Sequence, residues 1–417
     1  MWNFKIDVDV DGETWPTHSS GMPKQFQKAS LGTVQDNINL LEMLLLLGQL
    51  TTPIHASGVS LSEHWAWIRY LKAVNGDESH LSITRAFSGL DPHQKTILSD
   101  DFGVGISVYW LNQKLGLRYF CDGYYFAESL ARRFRATVAE KTNKRGPRKA
   151  PDYILTDGNG RYHVVECKGT QSSTTYRDRQ LSSLDRNGNE TGGVAQKKTI
   201  LFPASSAGER LACGVFLGTD GGTEKSHLKV VDPVGEPILS LDEQSMEFAF
   251  DPFVRSLAAR SFVLLGLPAS AGNFVSPDGF VEFPYQEHVS KSFNESRSSF
   301  LVERREAARR ELETLSDGGA APAIREHAID FPYPIRLRGR SFTKVLVKHL
   351  VDRECVFQAI ESPMADDPIR SDDVFWGKKI GPVTFTSSFE DNEEELDDEI
   401  RSTMKIGDIS STEVVIS

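Results

Sequence analysis

The sequence predicts a mixed α/β (α+β) fold in which helices flank a mixed β-sheet. The first observation is a β-hairpin, with apolar residues at 153–155 and 162–167 around the turn sequence Asp157-Gly158-Asn159-Gly160. The second is an apolar stripe of helical period at 120–141, directly before the hairpin. The third is an apolar run at 211–217, typical of a buried strand. Together they favour one sheet covered by helices.

Residues 1–115 are predicted to form a mostly helical N-terminal module. One or two short strands and a polar loop are expected in about the first 30 residues. Three helices are expected after them, because apolar residues recur there at helical spacing: 36–47, 61–74 and 101–115.

Residues 116–235 are predicted to contain the hairpin and the elements that flank it. The helix at 120–141 precedes the hairpin, and a polar loop at 170–193 follows it. A second helix and two strands, the last one at a sheet edge, are then expected at 193–201, 211–217 and 228–231.

Residues 236–388 are predicted to form a C-terminal α+β module, and 389–417 an acidic tail with eight acids at 390–399. Helices are expected at 242–267 and 291–315, and a loop at 268–284. A strand followed by a helix is expected at 332–351. That segment also holds a cluster of basic residues: Arg336, Arg338, Arg340, Lys344 and Lys348.

Composition favours a soluble protein of the cytoplasm. Of the 417 residues, 39% are hydrophobic and 25% charged, as in ordinary globular proteins. No signal peptide is expected, and the apolar run at 40–50 is too short to span a bilayer, so we expect no membrane partner. Four cysteines without CxxC pairing argue against a zinc site and a disulfide framework.

Three charged residues are expected to meet at one end of the hairpin. Asp152 begins the first strand, while Glu166 and Lys168 end the second and share one face, with Cys167 on the other. Two carboxylates and an ammonium suit a divalent cation such as Mg²⁺ and the hydrolysis of a phosphate ester. The alternative interpretation is an ordinary hairpin whose Glu/Lys end is solvated.

At these residues the chain resembles the PD-(D/E)XK nuclease superfamily. Pro151-Asp152 is followed, after thirteen residues, by Glu166-Cys167-Lys168. The family core consists of a helix, a three-strand meander, a second helix and a further strand. Residues 120–220, about a quarter of the chain, match that order. The resemblance implies a restriction-endonuclease-like fold.

The resemblance also implies roles for individual residues. Asp152 and Glu166 would hold Mg²⁺ or Mn²⁺ with the backbone carbonyl of Cys167, and Lys168 would position the attacking water or stabilise the transition state. Glu128 on the preceding helix and Gln196 on the second helix would assist. For Glu128, a surface ion pair with Arg132 is an equal alternative.

A basic segment leads into the hairpin, although the chain has a net charge of −11. Residues 132–149 contain eight cations and one acid. Such a segment beside a metal site could bind the phosphate backbone of a nucleic acid. The alternative interpretation is an ordinary solvated surface. The candidate nucleic-acid-binding residues are Arg132, Arg133, Lys144, Arg145, Arg148, Lys149 and Lys197. The acidic tail is either merely solvated or competes with DNA for this basic surface.

The expected function is that of a metal-dependent deoxyribonuclease. The domain arrangement is similar to that of restriction and anti-phage defence effectors, which is an analogy. We expect a homo-oligomer, and any ATPase, helicase or sensing function would come from a partner protein. The alternatives are a non-catalytic nucleic-acid-binding or scaffold subunit and a nuclease that cleaves RNA.

Overall fold

The computed structural model describes residues 2–15, 21–54, 70–134, 150–181, 183–184, 190–191, 199–232, 237–279, 290–315, 321–361, 368–390 and 399–417. Within these ranges the chain is a mixed α/β protein with a seven-stranded sheet, a five-stranded sheet and two pairs of short strands. The predicted fold class is confirmed.

The helices are numbered along the chain. They are α1 (Gln27–Ser30), α2 (Leu40–Thr51), α3 (Arg85–Ser88), α4 (Pro92–Leu115), α5 (Gly123–Arg133), α6 (Thr174–Leu181), α7 (Phe250–Leu265), α8 (Pro268–Val275), α9 (Lys291–Leu315), α10 (Arg353–Glu361) and α11 (Trp376–Lys379).

The strands are numbered in the same way. They are β1 (Asn3–Val10), β2 (Val34–Asn39), β3 (Tyr119–Asp122), β4 (Tyr153–Thr156), β5 (Tyr162–Thr170), β6 (Ser183–Leu184), β7 (Glu190–Thr191), β8 (Thr199–Leu201), β9 (Ala207–Phe216), β10 (His227–Val231), β11 (Pro237–Ser240), β12 (Ala323–Leu337), β13 (Arg340–Val351), β14 (Val383–Glu390), β15 (Glu399–Ile406) and β16 (Ser410–Ile416).

The seven-stranded sheet contains the hairpin in the order β2-β1-β10-β9-β5-β4-β3. β3, β4 and β5 form an antiparallel meander, and β9 pairs with β5 in parallel. β1 pairs in parallel with β10, so the N-terminal strands belong to the same sheet as the hairpin. The N-terminal segment is therefore not a separate, mostly helical module, and β10 is not the edge strand that was predicted.

Helix α4 covers β5, and its ends follow from its sequence. Asp91 Oδ1 accepts hydrogen bonds from the backbone N–H groups of His93 and Gln94, and Pro92 occupies the first helical position. Gly116 ends the helix with φ of +65°. The buried side chains along it include Leu98, Phe102, Ile106, Trp110 and Leu111. This helix extends the one predicted at 101–115.

The five-stranded sheet is antiparallel, in the order β12-β13-β16-β15-β14. β15 and β16 are interior strands of this sheet, so the prediction of an acidic tail is wrong for residues 399–417. Residues 391–398 lie outside the described residues. A long β-hairpin replaces the strand and helix expected at 332–351, because buried and exposed residues alternate there along β13.

Around the central hairpin, three sequence predictions differ from the structure. The helix expected at 120–141 starts as strand β3 and becomes α5 only at Gly123. The loop expected at 170–193 contains α6, which packs against β5 and β9. The end of the helix expected at 193–201 is β8, paired in parallel with β11. The β-branched pair Thr199-Ile200 suits that strand.

Elsewhere the predicted helices are confirmed in part. The 36–47 segment starts as β2 and becomes helical at Leu40, where the Asn39 side chain accepts the N–H groups of residues 41 and 42. The helix at 242–267 is found as α7 and that at 291–315 as α9, whereas α8 occupies part of the loop expected at 268–284. Most of the helix expected at 61–74 lies outside the described residues. Within the described part of the chain, no helix combines the length and apolarity needed to cross a bilayer.

Candidate active site

The central hairpin brings the three predicted charged residues together. The backbone N–H of Cys167, in β5, donates a hydrogen bond to Asp152 Oδ2 at 2.8 Å. This bond holds the Asp152 carboxylate beside β5. Lys168 Nζ lies 2.7 Å from Glu166 Oε1. The hairpin therefore places Asp152, Glu166 and Lys168 in one cluster, as its period-2 alternation predicts.

The turn of the hairpin fixes the register on which this cluster depends. Asp157 Oδ1 accepts hydrogen bonds from the backbone N–H groups of Asn159 and Arg161, each at 2.9 Å. Gly160 has a φ of +75°, which favours glycine. A slip of one residue would move Glu166 and Lys168 to the opposite face.

Burial dominates the electrostatics of the cluster. Glu166 is only 3% exposed, and burial together with the nearby Asp152 raises its pKa to about 7, against the opposing effect of Lys168. Burial also raises the pKa of Asp152, which Lys168 and the Cys167 N–H partly offset. For Lys168, burial lowers the pKa, but Glu166 and Asp152 outweigh it and the net shift is upward. The lysine thus stays protonated at neutral pH.

Helix α4 adds a carboxylate that the sequence analysis missed. Asp100 interacts with the charge of Lys168 and with the backbone N–H of Gly169. The close approach depends on two glycines, because a Cβ on Gly169 would overlap the Ser99 carbonyl and a Cβ on Gly103 would overlap the backbone of β5. Asp100 was missed because α5 lies between β3 and β4, so the helix nearest the hairpin in sequence is not the one packed on β5.

Asp122, at the end of β3, is the second acid that the sequence analysis missed. The buried Arg260 of α7, 1% exposed, donates to Asp122 Oδ2 at 2.6 Å and also to the carbonyls of Leu50 and Thr52. The charge of Asp122 contributes to raising the pKa of Asp152. Its position was hidden by the prediction of a helix from residue 120.

The cluster has one feature suited to a divalent cation. Glu166 Oε2 is buried and forms no hydrogen bond of normal geometry, although the nearby backbone N–H of Asp152 acts to lower the pKa of the carboxyl group, so Oε2 keeps lone pairs for a ligand. Asp152 contributes a second carboxylate, and the pair provides the hard oxygen donors that Mg²⁺ or Mn²⁺ prefers. No group of three or more His, Cys, Asp and Glu side chains among the described residues is arranged to hold a metal. Any ion there would depend on two carboxylates, backbone and water oxygens.

Glu128 belongs to the helix that directly follows Asp122. It is half-buried on α5, which packs against β3, β4 and α7. The helix packed on β5 is α4, which carries Asp100, and a role of Glu128 in the site stays a prediction. For Cys167, the structure shows a buried side chain and the N–H bond to Asp152, and metal binding by its carbonyl stays a prediction.

Two of the predicted DNA-binding residues already have acidic partners. Arg132 forms an ion pair with Asp278. Arg133 Nη2 lies 3.4 Å from Asp251 Oδ2. Asp251 is shared with Arg255, whose Nε lies 2.9 Å from Asp251 Oδ1. The other predicted contributors lie outside the described residues: Gln196, Lys144, Arg145, Arg148, Lys149 and Lys197.

Comparison with known proteins gives no relative. No protein-family model, no curated protein and no solved structure matches the chain.

Proposed function

We propose that this protein is a metal-dependent nuclease that hydrolyses phosphodiester bonds of DNA. The observation that carries the proposal is the buried Glu166–Lys168 ion pair, with Asp152 held beside it by the Cys167 N–H. A buried charged group costs free energy unless it is paired or binds a ligand. A bound ligand therefore explains the buried, unpaired Oε2 of Glu166 better than a contribution to folding stability does.

The order of the elements supports the same proposal. Helix α4, the meander β3-β4-β5, helix α6 and strand β9 occur in the order of the PD-(D/E)XK core, with α5 inserted after β3 and the short strands β6, β7 and β8 before β9. β9 pairs in parallel with β5 beside the charged cluster. The cluster thus lies on interior strands of the sheet, and rigid strands hold catalytic groups more precisely than loops do.

Each residue of the cluster has a role in this proposal. Asp152 and Glu166 would hold Mg²⁺ or Mn²⁺, which polarises the phosphoryl group and lowers the pKa of a bound water. Lys168 remains charged and stabilises negative charge that develops on the phosphate oxygens. Asp100, whose carboxyl feels the charge of Lys168, would add negative charge near the lysine.

The biological setting is part of the proposal. A nuclease core joined to further structural elements suits an effector of restriction or anti-phage defence in the cytoplasm. Cleavage of both strands of a duplex requires two such sites, which favours a homo-oligomer. An ATPase, helicase or sensing function would be supplied by a partner protein.

Cleavage of circular and linear DNA tests the proposal. Wild type with Mg²⁺ or Mn²⁺ is expected to cut, and EDTA or Lys168→Ala to abolish cutting, with Asp100→Asn reducing the rate. Glu306→Gln is the matched control, because it also neutralises a helical carboxylate but is exposed on α9, and its rate should equal that of wild type. Cutting by Lys168→Ala at the wild-type rate would exclude this site. Cleavage of RNA but not DNA would correct the substrate.

A further inference from the structure

The β12-β13 hairpin carries exposed cations that form no ion pair among the described residues. Arg336 and Lys344 are exposed, and neither takes part in an ion pair within the described residues. Arg338, between them in sequence, is also exposed and donates only to a backbone carbonyl, that of Asn3, at 2.8 Å. We call Arg336, Arg338 and Lys344 the hairpin surface.

The turn is fixed to the sheet that contains the candidate active site. The backbone N–H of Arg338 donates to the Gly76 carbonyl at 3.3 Å, and Arg338 Nη2 donates to Asn3 at the start of β1. A Cβ on Gly76 would overlap the Arg336 carbonyl, so the two backbones are in close contact. The cations are therefore presented by a braced turn of the five-stranded sheet.

The conformation of Arg338 is unusual for its residue type. Its φ is +47°, and Gly339 follows with φ of +79°, the two-residue pattern of a tight hairpin turn. Asn or Gly adopts this conformation at lower cost than arginine. A long cationic side chain at this position is thus not explained by the needs of the turn.

An exposed aromatic residue lies on the same hairpin. Tyr333 is 76% exposed, and Lys72 lies 5.2 Å from the ring centre of Phe331 and 5.9 Å from that of Tyr333. Aromatic rings beside cations suit nucleic acid, because bases stack on the rings while the cations contact phosphates.

The local charge is positive on a chain of net charge −11. Carboxylates near these cations include Asp77, which accepts the Gly339 N–H, and Asp330, opposite Lys344 in the strand register. A third is that of Ser417, whose O accepts the backbone N–H of Lys344. The hairpin surface and Lys72 outnumber these acids. Arg132 and Arg133, by contrast, are each matched with an aspartate.

We infer that the hairpin surface binds the phosphate backbone of DNA, with Tyr333 available to an unpaired base. This inference rests on the proposed function and identifies a substrate-binding surface away from α5. Charge complementarity selects the partner: guanidinium groups without intramolecular carboxylates gain most from phosphate oxygens.

A binding assay with a fluorescein-labelled 30-base-pair duplex tests this inference. The full chain carrying Lys168→Ala is used in Ca²⁺, so that DNA stays intact. Arg336→Gln/Arg338→Asn removes two cations. It also removes the hydrogen bond from Arg338 to the Asn3 carbonyl, whereas asparagine suits the turn, and a melting curve would verify that the fold is kept. We expect Kd to rise about tenfold at 0.1 M salt, and the slope of log Kd against log salt to fall by about 2.

The matched control is Arg309→Gln/Arg310→Gln, which removes two exposed cations from α9 and should change Kd less than twofold. With a single-stranded oligonucleotide, Tyr333→Ala should weaken binding about fivefold or more. An Arg336/Arg338 variant that binds like its parent overturns this inference, while wild type that still cuts DNA leaves the proposed function standing. Wild type that neither binds nor cuts DNA overturns both. Equal competition by polyglutamate would identify an acidic protein as the partner instead.

Discussion

Glu166 combines burial, an ion pair on one oxygen and no hydrogen bond of normal geometry on the other. In the folded protein its pKa is about 7, whereas an unfolded glutamate has a pKa of about 4.5. The folded state therefore binds this proton more tightly than the unfolded state. The contribution of this carboxyl group to the free energy of unfolding is therefore fully present below pH 4.5 and is lost as the pH rises through 7. Without a metal, the ionised carboxylate opposes folding.

Glu166→Gln should therefore stabilise the metal-free protein in a pH-dependent way. At pH 8 in EDTA, the free energy of unfolding should exceed that of wild type by roughly 2–4 kcal/mol, since each pKa unit corresponds to about 1.4 kcal/mol. Near pH 4.5 the two proteins should be equally stable. Urea denaturation at both values measures this. A difference that does not change between pH 4.5 and 8 would show that Glu166 titrates normally.

At the scale of elements, local signals located the hairpin and missed its neighbours. The Asp-Gly-Asn-Gly turn and the alternating residues around it lie within about twenty positions, so the sequence specifies β4, β5 and the cluster of Asp152, Glu166 and Lys168. Packing of α4 on β5 joins segments about seventy residues apart, and no periodic signal reports that pairing. Asp100 was missed for this reason, whereas Asp122 was missed because a helix was predicted from residue 120.

Gly169→Ala should separate α4 from β5. The added methyl group would overlap the Ser99 carbonyl, so the helix must move, at a cost of about 1–3 kcal/mol. Asp100 would move away from Lys168, and DNA cleavage should fall with stability. The control is Gly158→Ala in the turn of the same hairpin, where the nearest atom is 3.8 Å away and the cost should stay below about 1 kcal/mol. Equal stability of the two variants would show that the contact is not tight.

At the scale of the molecule, the termini are built into the two sheets. β1 pairs with β10 across more than two hundred residues, and β15 and β16 close the five-stranded sheet. Apolar residues at helical spacing predicted a helical N-terminal module, and a run of acids predicted an acidic tail. Both signals are local, so neither reports long-range strand pairing. The buried core is continuous across both sheets.

Removal of residues 391–417 should therefore unfold the C-terminal sheet. β13 and β14 would lose β16 and β15, which lie between them, and Ser261 would lose its hydrogen bond to Ser410. We expect loss of a cooperative thermal transition by circular dichroism. The control replaces the acids of 391–398 by Asn and Gln, which keeps both strands. That variant should melt like wild type, and tighter DNA binding by it would support competition between this acidic run and DNA. A truncated chain with the wild-type melting temperature would contradict the interior position of β15 and β16.

The central claim is that Asp152 and Glu166 hold a divalent metal beside Lys168, and calorimetric titration with Mn²⁺ tests it without a substrate or partner. We expect wild type to bind at pH 8 and Asp152→Asn and Glu166→Gln to lose that binding. Affinity should fall about tenfold from pH 8 to pH 6, because Glu166 must release its proton to bind metal. Mn²⁺ binding that is unchanged in both variants would contradict the claim.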